Sequence, residues 1–324
     1  MKSNSLAVAV GLLMAATLSW GGMFAVAKPA LGVMDPFYLT LIRYGVAAVL
    51  FVLILIWVEG AGALRLEGRL GLLFLLATLG FAGFNLLAFN GLVHTRPEHG
   101  AVIMAMMPMI TAILTWLFKG VRPKRFTLAA IIVAFLGVFL VITRGDPMQA
   151  SAGGSGQWGL VFLAGAFCWV SYTMGAQSFP NWSPLRYTAV TCVLGTISIT
   201  LITFGFTMSG MIHTPDWETV VSLKGTFLYL IVLGALVAVL SWNTGIKIMG
   251  PVNGVLFINF VPITAFTIGV IQGRSFTTAE LVGASFVIGA LVANNLYLRK
   301  LERAAKMSDR TELVNSVARL KPTT

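Results

Sequence analysis

The chain has 324 residues, of which 57% are hydrophobic and 10% are charged. Soluble domains carry about 25% charged residues, so this chain lacks the polar surface that a soluble fold requires. A net charge of +11 would indicate nucleic-acid binding in a soluble protein. In a membrane protein the same excess is typical of basic cytoplasmic loops, so we expect no nucleic-acid partner.

Ten apolar segments follow one another along the chain. They lie at residues 6–27, 38–58, 70–92, 100–118, 127–143, 158–177, 186–207, 226–246, 253–272 and 279–298. A spanning helix needs about 20 predominantly apolar residues. The first segment begins like a signal peptide, but it is long enough to span and has no clear cleavage site, so we expect a retained helix. The sequence therefore predicts an all-α polytopic membrane protein with ten transmembrane helices.

The basic residues predict the orientation of these helices. Ten spans place both termini on one side, which then receives 16 of the 22 Lys and Arg residues, whereas the other side receives 6. Lys and Arg accumulate in cytoplasmic loops. We therefore predict cytoplasmic termini in the cell inner membrane. The basic tail at 299–324 is either solvated or attracted to anionic membrane lipid.

Spaced glycines and prolines indicate an internal repeat. Gly91, Gly100 and Pro108 recur 154 residues later as Gly245, Gly254 and Pro262. A repeat of five helices must be inverted in the membrane, and inverted repeats are typical of transporters. We predict two inverted five-helix repeats at 1–145 and 158–298, joined by a linker loop at 146–157.

Two cations stand in the apolar segments near the start of the chain. Ionisable residues inside spans are costly and are candidates for function. Lys28 ends the first helix, so an anchor at the membrane surface explains it best. Arg43 lies seven residues into the second helix. It could bind a solute, or it could pair structurally with a carbonyl or with Asp35.

No Asp or Glu is predicted at the centre of any helix. This disfavours export of lipophilic cations, and it favours facilitated diffusion or exchange over proton antiport. Arg43 instead suits a zwitterionic or anionic solute, because guanidinium groups pair with carboxylates.

The predicted cavity combines this arginine with aromatic and amide side chains. The lining residues are Trp20, Arg43, Asn85, Asn90, Trp169, Tyr172, Trp242 and Asn259. Trp20 and Trp169 stand 149 residues apart, at equivalent repeat positions. The alternatives are lipid-facing tryptophans and asparagines that bond neighbouring helices. Pro108 and Pro262 are candidate hinges, because proline kinks a helix and frees a carbonyl.

The opening of the chain resembles a known family. Trp20-Gly21, Lys28, Pro36 and Arg43 resemble the W-G…K…P…R signature of the EamA family in the drug/metabolite transporter superfamily. Residues 100–120 resemble that family's fourth helix and residues 254–273 its ninth, so the resemblance covers about 6–298. The family usually has a glutamate after the glycine that closes these helices.

Val121 and Arg274 occupy those two places, so this chain departs from the pattern there. The resemblance implies ten helices in two inverted repeats, cytoplasmic termini and a central cavity. It further implies transport of small metabolites, commonly export of amino acids.

These observations predict a secondary transporter that works by alternating access on a small-molecule solute. The two cysteines and three histidines are too dispersed for a metal site, and we expect no cofactor and no catalytic residue. A polytopic membrane enzyme acting on lipid-linked substrates is the alternative, although only His94, Glu98 and His99 come near a catalytic group. An exchanger of other organic anions is a further alternative.

Overall fold

The computed structural model describes residues 3–146, 148, 155–249 and 254–319. This part of the chain forms helices and contains no strand. The long helices are α1 (Ser3–Ala30), α2 (Pro36–Glu59), α3 (Leu70–His94), α4 (Pro97–Ala105 and Met107–Lys119), α5 (Arg125–Thr143), α6 (Ser155–Gly175), α7 (Pro184–Met208), α8 (Lys224–Met249), α9 (Phe257–Ile271) and α10 (Thr278–Arg319). Most of the predicted linker 146–157, and residues 320–324 of the predicted tail, lie outside the described residues.

Eight of these helices are long and apolar enough to cross a membrane. The two parts of α4 pass the same test together, with a bend of 45° between them, and α9 is a shorter apolar helix. The predicted all-helical membrane fold is therefore confirmed. The count of ten spans stays a prediction, because α9 by itself is too short and follows residues outside the described part.

Local sequence explains where several helices begin and end. Asp35 accepts a hydrogen bond from the backbone N–H of Phe37, and Pro36 occupies the first turn of α2. Ser183 caps α7 in the same way, again directly before a proline. A polar N-cap followed by proline is a strong start signal. At the C-terminal end of α4, Gly120 has a φ of 68°, a left-handed conformation that glycine tolerates best.

Both candidate hinge prolines lie just after a change in helix geometry. Pro108 follows the bend of α4 at Met106 by two residues. Pro262 follows a 3-10 stretch, Val255–Asn259, by three residues. Proline cannot donate the hydrogen bond that would continue a regular helix, so both breaks have a local cause. Their role as moving hinges stays a prediction.

The helices of the two halves interlock. α1 packs against α8 and α9, whereas α6 packs against α3 and α4. α2 pairs with α7, and α5 pairs with α10. A Cβ added to Gly137 in α5 would lie 2.6 Å from the carbonyl oxygen of Gly283 in α10, so these backbones touch directly. Small residues permit such close helix contacts in membranes.

We call the end of the bundle where α1 begins the near end, and the end where α1 finishes the far end. The chain alternates between them, so the α3–α4 and α9–α10 connections meet at the far end, where Arg96 contacts Ser275. The α2–α3 and α6–α7 connections meet at the near end, where Arg69 contacts Ser178. At each end, an arginine of the first half of the chain donates a hydrogen bond to a backbone carbonyl of the second half.

Candidate functional site

Arg43 lies in the centre of the bundle and is 1% exposed. Its Nε donates to the carbonyl of Leu230 and its Nη2 to the carbonyl of Gly234, each at 3.1 Å. Its Nη1 donates to Oδ1 of Asn85, also at 3.1 Å. All three nitrogens of the guanidinium are therefore bonded, and the acceptors come from α3 and α8.

The carbonyls that receive Arg43 belong to an irregular part of α8. Residues Tyr229–Val237 form a π-helix, and α3 contains a matching π-helix at Thr78–Gly83. Such turns disrupt the ordinary helical ladder and recur at functional sites. Gly80 and Gly234 stand 154 residues apart in these two segments, the offset of the predicted repeat. A Cβ on Gly80 would lie 2.4 Å from the ring of Tyr172, so this position is closely packed.

Three tryptophans pack beside the arginine. The indole N–H of Trp20 donates to the carbonyl of Gly234 at 3.3 Å, the same oxygen that Arg43 binds. The Trp20 ring lies 6.0 Å from that of Trp169 and 5.4 Å from that of Trp242. Helices α1, α6 and α8 therefore contribute one continuous aromatic cluster. The predicted equivalents Trp20 and Trp169 touch each other edge to face.

Two further predicted residues join this cluster. Tyr172 lies 5.3 Å from Trp169, measured between ring centroids. Asn85 is fully buried, accepts from Arg43 and from the hydroxyl of Tyr44, and donates to the carbonyl of Phe81. These contacts connect six of the eight predicted cavity residues, which we call the central cluster: Trp20, Arg43, Asn85, Trp169, Tyr172 and Trp242.

The two remaining asparagines have other surroundings. Asn90 donates to the carbonyl of Leu86, one turn earlier in its own helix. Asn259 is buried at the start of α9. In this structure the members of the central cluster pack on one another, and none of them is more than 8% exposed.

The charge of Arg43 has no counter-ion among the described residues. Its acceptors are two backbone carbonyls and an amide, and each ion pair of the described chain involves another cation. Removing a charge from water is expensive even when hydrogen bonds satisfy it, and a counter-charge recovers much of that cost. Arg43 therefore places an uncompensated positive charge inside the central cluster.

Lys28 has a different role from the surface anchor that its position predicted. Its Nζ donates to the carbonyls of Leu92, Val93 and Thr95 at 2.7–2.8 Å. Leu92 and Val93 lie in the last turn of α3 and Thr95 directly follows it, at the negative end of the helix dipole, where carbonyls lack their regular helical partners. Lys28 therefore turns inward and caps α3 instead of extending to the surface.

A carboxylate missed as a site lies at the far end. Glu280, which is 1% exposed, receives Arg96 at 3.4 Å, His99 at 3.3 Å and Arg144 at 3.5 Å on its Oε1. Its Oε2 accepts from the backbone N–H and the hydroxyl of Thr277. The sequence T-x-x-E at 277–280 is a capping box and could have indicated this contact.

A second missed carboxylate lies beside it. Glu98 is 1% exposed, and its Oε1 lies 2.7 Å from Nη1 of Arg274. The sequence placed Glu98 at a helix end, which is correct, but a helix end is normally solvated. Here α9 covers it, and a Cβ on Gly269 would lie 2.4 Å from Oε1. The positions of charged residues in the sequence do not show that α9 covers Glu98, so its burial could not be predicted.

The near end has an ion pair of its own. Nη2 of Arg186 lies 2.8 Å from Oε1 of Glu67, and Arg186 also donates to the carbonyls of Ala63 and Arg65. The indole of Trp182 donates to Oε2 of Glu67 at 3.1 Å. These hydrogen bonds from Trp182 and Arg186 lower the pKa of the Glu67 carboxyl below its ordinary value.

The residues that came closest to a catalytic group contact different partners. Glu98 pairs with Arg274 and His99 with Glu280, whereas the His94 ring stacks on Trp158 at 3.7 Å.

A groove of about 410 Å³ opens near them at the far end. Its lining includes Asp35, Pro36, Val93, Met211, Ile212 and His213.

Known proteins resemble this chain along most of its length. A Bacillus subtilis (strain 168) protein named "Uncharacterized transporter YrdR" is 39% identical over 304 residues, 93% of this chain and 95% of the relative. "Uncharacterized transporter YyaM" of the same organism is 29% identical and covers 88% of this chain and 93% of the relative. "Protein PecM" of Dickeya dadantii (strain 3937) is 24% identical over 84% of this chain and 87% of its own length.

A solved crystal structure has the same fold, with a TM-score of 0.63 at 18% identity, over 93% of this chain and all of that one. The model of the EamA-like transporter family matches residues 7–143 and again residues 157–296. With two matches that together cover most of its length, the chain belongs to the EamA-like transporter family.

Proposed function

We propose that this protein exports small zwitterionic or anionic metabolites, such as amino acids, across the cell inner membrane. Membership of the family makes the chain a membrane transporter of small solutes. The solute class, the direction and the mechanism are our proposal. They rest on the central cluster and on the ion pairs at the two ends.

The observation that carries the solute class is the uncompensated charge of Arg43. The carbonyl oxygen of Gly234 accepts from both Arg43 and Trp20, so two donors from α1 and α2 converge on one point. A solute carboxylate oxygen that replaced this carbonyl would accept the same two hydrogen bonds and would add the missing negative charge. Opposite charges on donor and acceptor add a Coulomb attraction that a neutral carbonyl acceptor does not provide.

The aromatic side chains suit the remainder of such a solute. The indole of Trp20 lies at the point where the two donors converge, and the rings of Trp169 and Trp242 pack against it. Indole faces accept apolar groups, and they also attract a solute ammonium group. An amino acid offers a carboxylate, an ammonium and a side chain, so it matches all of these contacts.

We propose that the two repeats, residues 1–145 and 158–298, move against each other around this site. Glu98 with Arg274 joins the halves at the far end, and Glu67 with Arg186 joins them at the near end. The closed centre between two paired ends corresponds to an occluded state. Alternating access then requires each pair to separate in turn, with Pro108 and Pro262 as hinges.

The excess of Lys and Arg at the near end supports cytoplasmic termini. In this orientation α1 begins on the cytoplasmic side, and the groove lined by Asp35 and His213 opens on the outer side. Export then means release of the solute at the far end.

Counterflow in liposomes tests the solute class. Purified protein is reconstituted into vesicles loaded with one unlabelled compound, and uptake of the same labelled compound is measured. The panel contains amino acids, dicarboxylates, organic phosphates and lipophilic cations. We expect counterflow of carboxylate-bearing zwitterions. Counterflow confined to dicarboxylates or organic phosphates would identify an organic-anion exchanger instead, and counterflow of cations alone would reject the proposal.

A further inference from the structure

The two buried carboxylates at the far end differ in how completely they are bonded. Both oxygens of Glu280 have donors, with Arg96, His99 and Arg144 on Oε1 and Thr277 on Oε2. Donors on both oxygens stabilise the ionised form of a carboxylate. Glu280 is therefore a permanent negative charge that holds three elements together.

Glu98 is only half bonded. Its Oε1 pairs with Arg274, whereas its Oε2 is buried and has no hydrogen-bond partner among the described residues. Burying an ionised oxygen without a donor is costly. A proton on this oxygen would remove the charge, and with it the attraction to Arg274.

The position of Glu98 links its charge to the far end as a whole. Glu98 stands in the first turn of α4, and Arg274 follows α9. The pair therefore bridges the two predicted repeats, and the far end cannot open without separating it. The Arg274 side chain is 25% exposed, so it can turn toward water once the carboxylate is neutral.

We propose that Glu98 is the proton-binding residue of a gate at the far end, and that a proton on its Oε2 releases Arg274 and opens that end. The pair closes the gate while Glu98 is ionised. The proton comes from the water at the far end, and its return to that water restores the pair and closes the gate. The gate serves the transport proposed above, but it needs no particular solute.

Other charged groups lie at this end. They are Lys28 at the end of α1, His94 at the end of α3, Arg96 and His99 beside Glu98 in the chain, Arg144 after α5, Arg274 after α9 and Glu280 in α10. Glu280 has donors on both of its oxygens within this group, so its contact with His99 does not depend on Glu98. The gate therefore responds through the Glu98–Arg274 pair.

Accessibility of a single cysteine tests the gate. Ala101 is fully buried and lies three residues after Glu98, on the same helix face. The parent protein carries Ala101→Cys, with Cys168→Ala and Cys192→Ala to remove the native thiols. The full chain in detergent reacts with a water-soluble maleimide. Each rate is divided by that of the denatured protein at the same pH, which corrects for thiol ionisation.

We expect the corrected rate of the parent to rise at least about fivefold between about pH 8 and about pH 5, a range over which carboxyl groups begin to titrate. Adding Glu98→Gln should give the fast rate at both pH values, because the neutral amide lacks the negative charge that attracts Arg274. Glu218→Gln, at an exposed carboxylate outside both Glu–Arg pairs, is the matched control and should behave like the parent.

A pH-independent rate in the parent would overturn the proposal, and so would slow labelling of the Glu98→Gln protein at about pH 8. If that variant does not fold, Arg274→Gln takes its place and should also be labelled fast at both pH values. Slow labelling of the Arg274→Gln protein would overturn the proposal as well. The assay uses no solute, so its failure leaves the transport proposal intact. Absence of counterflow with pH-dependent labelling would instead reject the proposed solutes and keep the gate.

Discussion

Two Glu–Arg pairs close the two ends of the bundle, and they have nearly the same length. Glu67 and Arg186 lie 2.8 Å apart at the near end, and Glu98 and Arg274 lie 2.7 Å apart at the far end. The Glu67 side chain is 51% exposed, whereas that of Glu98 is 1% exposed. Exposed pairs contribute little to stability, but breaking a buried pair is severe. The two pairs therefore differ in the burial of their carboxylates and not in their length.

Helix placement produces this difference. Glu67 lies in the connection between α2 and α3, so water reaches its carboxylate from several directions. Glu98 lies inside the first turn of α4, where α9 passes directly over it at Gly269. In the closed state water can therefore replace the partner of Glu67 at the near end, whereas it reaches Glu98 at the far end only after the pair there has separated. We expect a charge-changing substitution to lower the free energy of unfolding strongly at the far end and only slightly at the near end.

Charge reversal should produce the largest effect. Arg274→Glu would place a second carboxylate against buried Glu98, with no partner for either. We expect a loss of about 3–5 kcal/mol in the free energy of unfolding, measured by denaturant titration of the purified protein.

The double variant Glu98→Arg with Arg274→Glu restores opposite charges and should recover most of this loss. Equal instability of the single and double variants would show that packing, and not the ion pair, closes the far end. The corresponding Arg186→Glu at the near end should have a much smaller effect.

A methyl group beside the far-end pair should have an intermediate effect. A Cβ on Gly269 would lie 2.4 Å from Oε1 of Glu98 and 2.6 Å from the ring of Phe276. Gly269→Ala should therefore displace the carboxylate and destabilise the protein by about 1–3 kcal/mol.

Gly11, near the start of α1, is the matched control, because a Cβ there meets nothing within 4 Å. Gly11→Ala should be neutral or slightly stabilising, since alanine favours helix more than glycine. Denaturant titration compares the two variants. A neutral Gly269→Ala would mean that the far end has more room than the structure shows.

Removing the near-end charge should have the smallest effect. The lowered pKa of Glu67 means that its pair stabilises the fold above the ordinary carboxyl pKa, and that this contribution fades as pH falls toward the lowered value. Because Glu67 faces water, Glu67→Gln should leave the melting temperature almost unchanged at neutral pH. It should also remove a slight acid dependence, measured by melting curves at several pH values. A large drop at neutral pH would contradict the distinction between the ends.

Composition and apolar runs were sufficient to predict the helical membrane fold. The Asp-Pro and Ser-Pro pairs at the starts of α2 and α7, and the glycine that ends α4, are local signals of the kind from which helix ends can be predicted. The closeness of Trp20 to Trp169 could be anticipated from their repeat positions. These features depend on residues near one another in the chain, or on one repeat offset.

Long-range features could not be predicted. The burial of Glu98 depends on α9, which lies more than 150 residues away in the chain. The three carbonyls that Lys28 caps, and the π-helical carbonyls that receive Arg43, became visible only in three dimensions. A carbonyl is present in every residue, so the sequence does not distinguish the ones that accept side-chain donors.

The central claim is that Arg43 binds a solute carboxylate, and the most direct test compares an amino acid with its methyl ester. Counterflow of both is measured for the wild type, for Arg43→Gln and for Arg186→Gln. The last variant is a matched control, since Arg186 also bonds backbone carbonyls but lies at the near end. We predict that the wild type and the control prefer the acid by at least about tenfold, and that Arg43→Gln loses this preference. A folded Arg43→Gln protein that still prefers the acid would contradict the account.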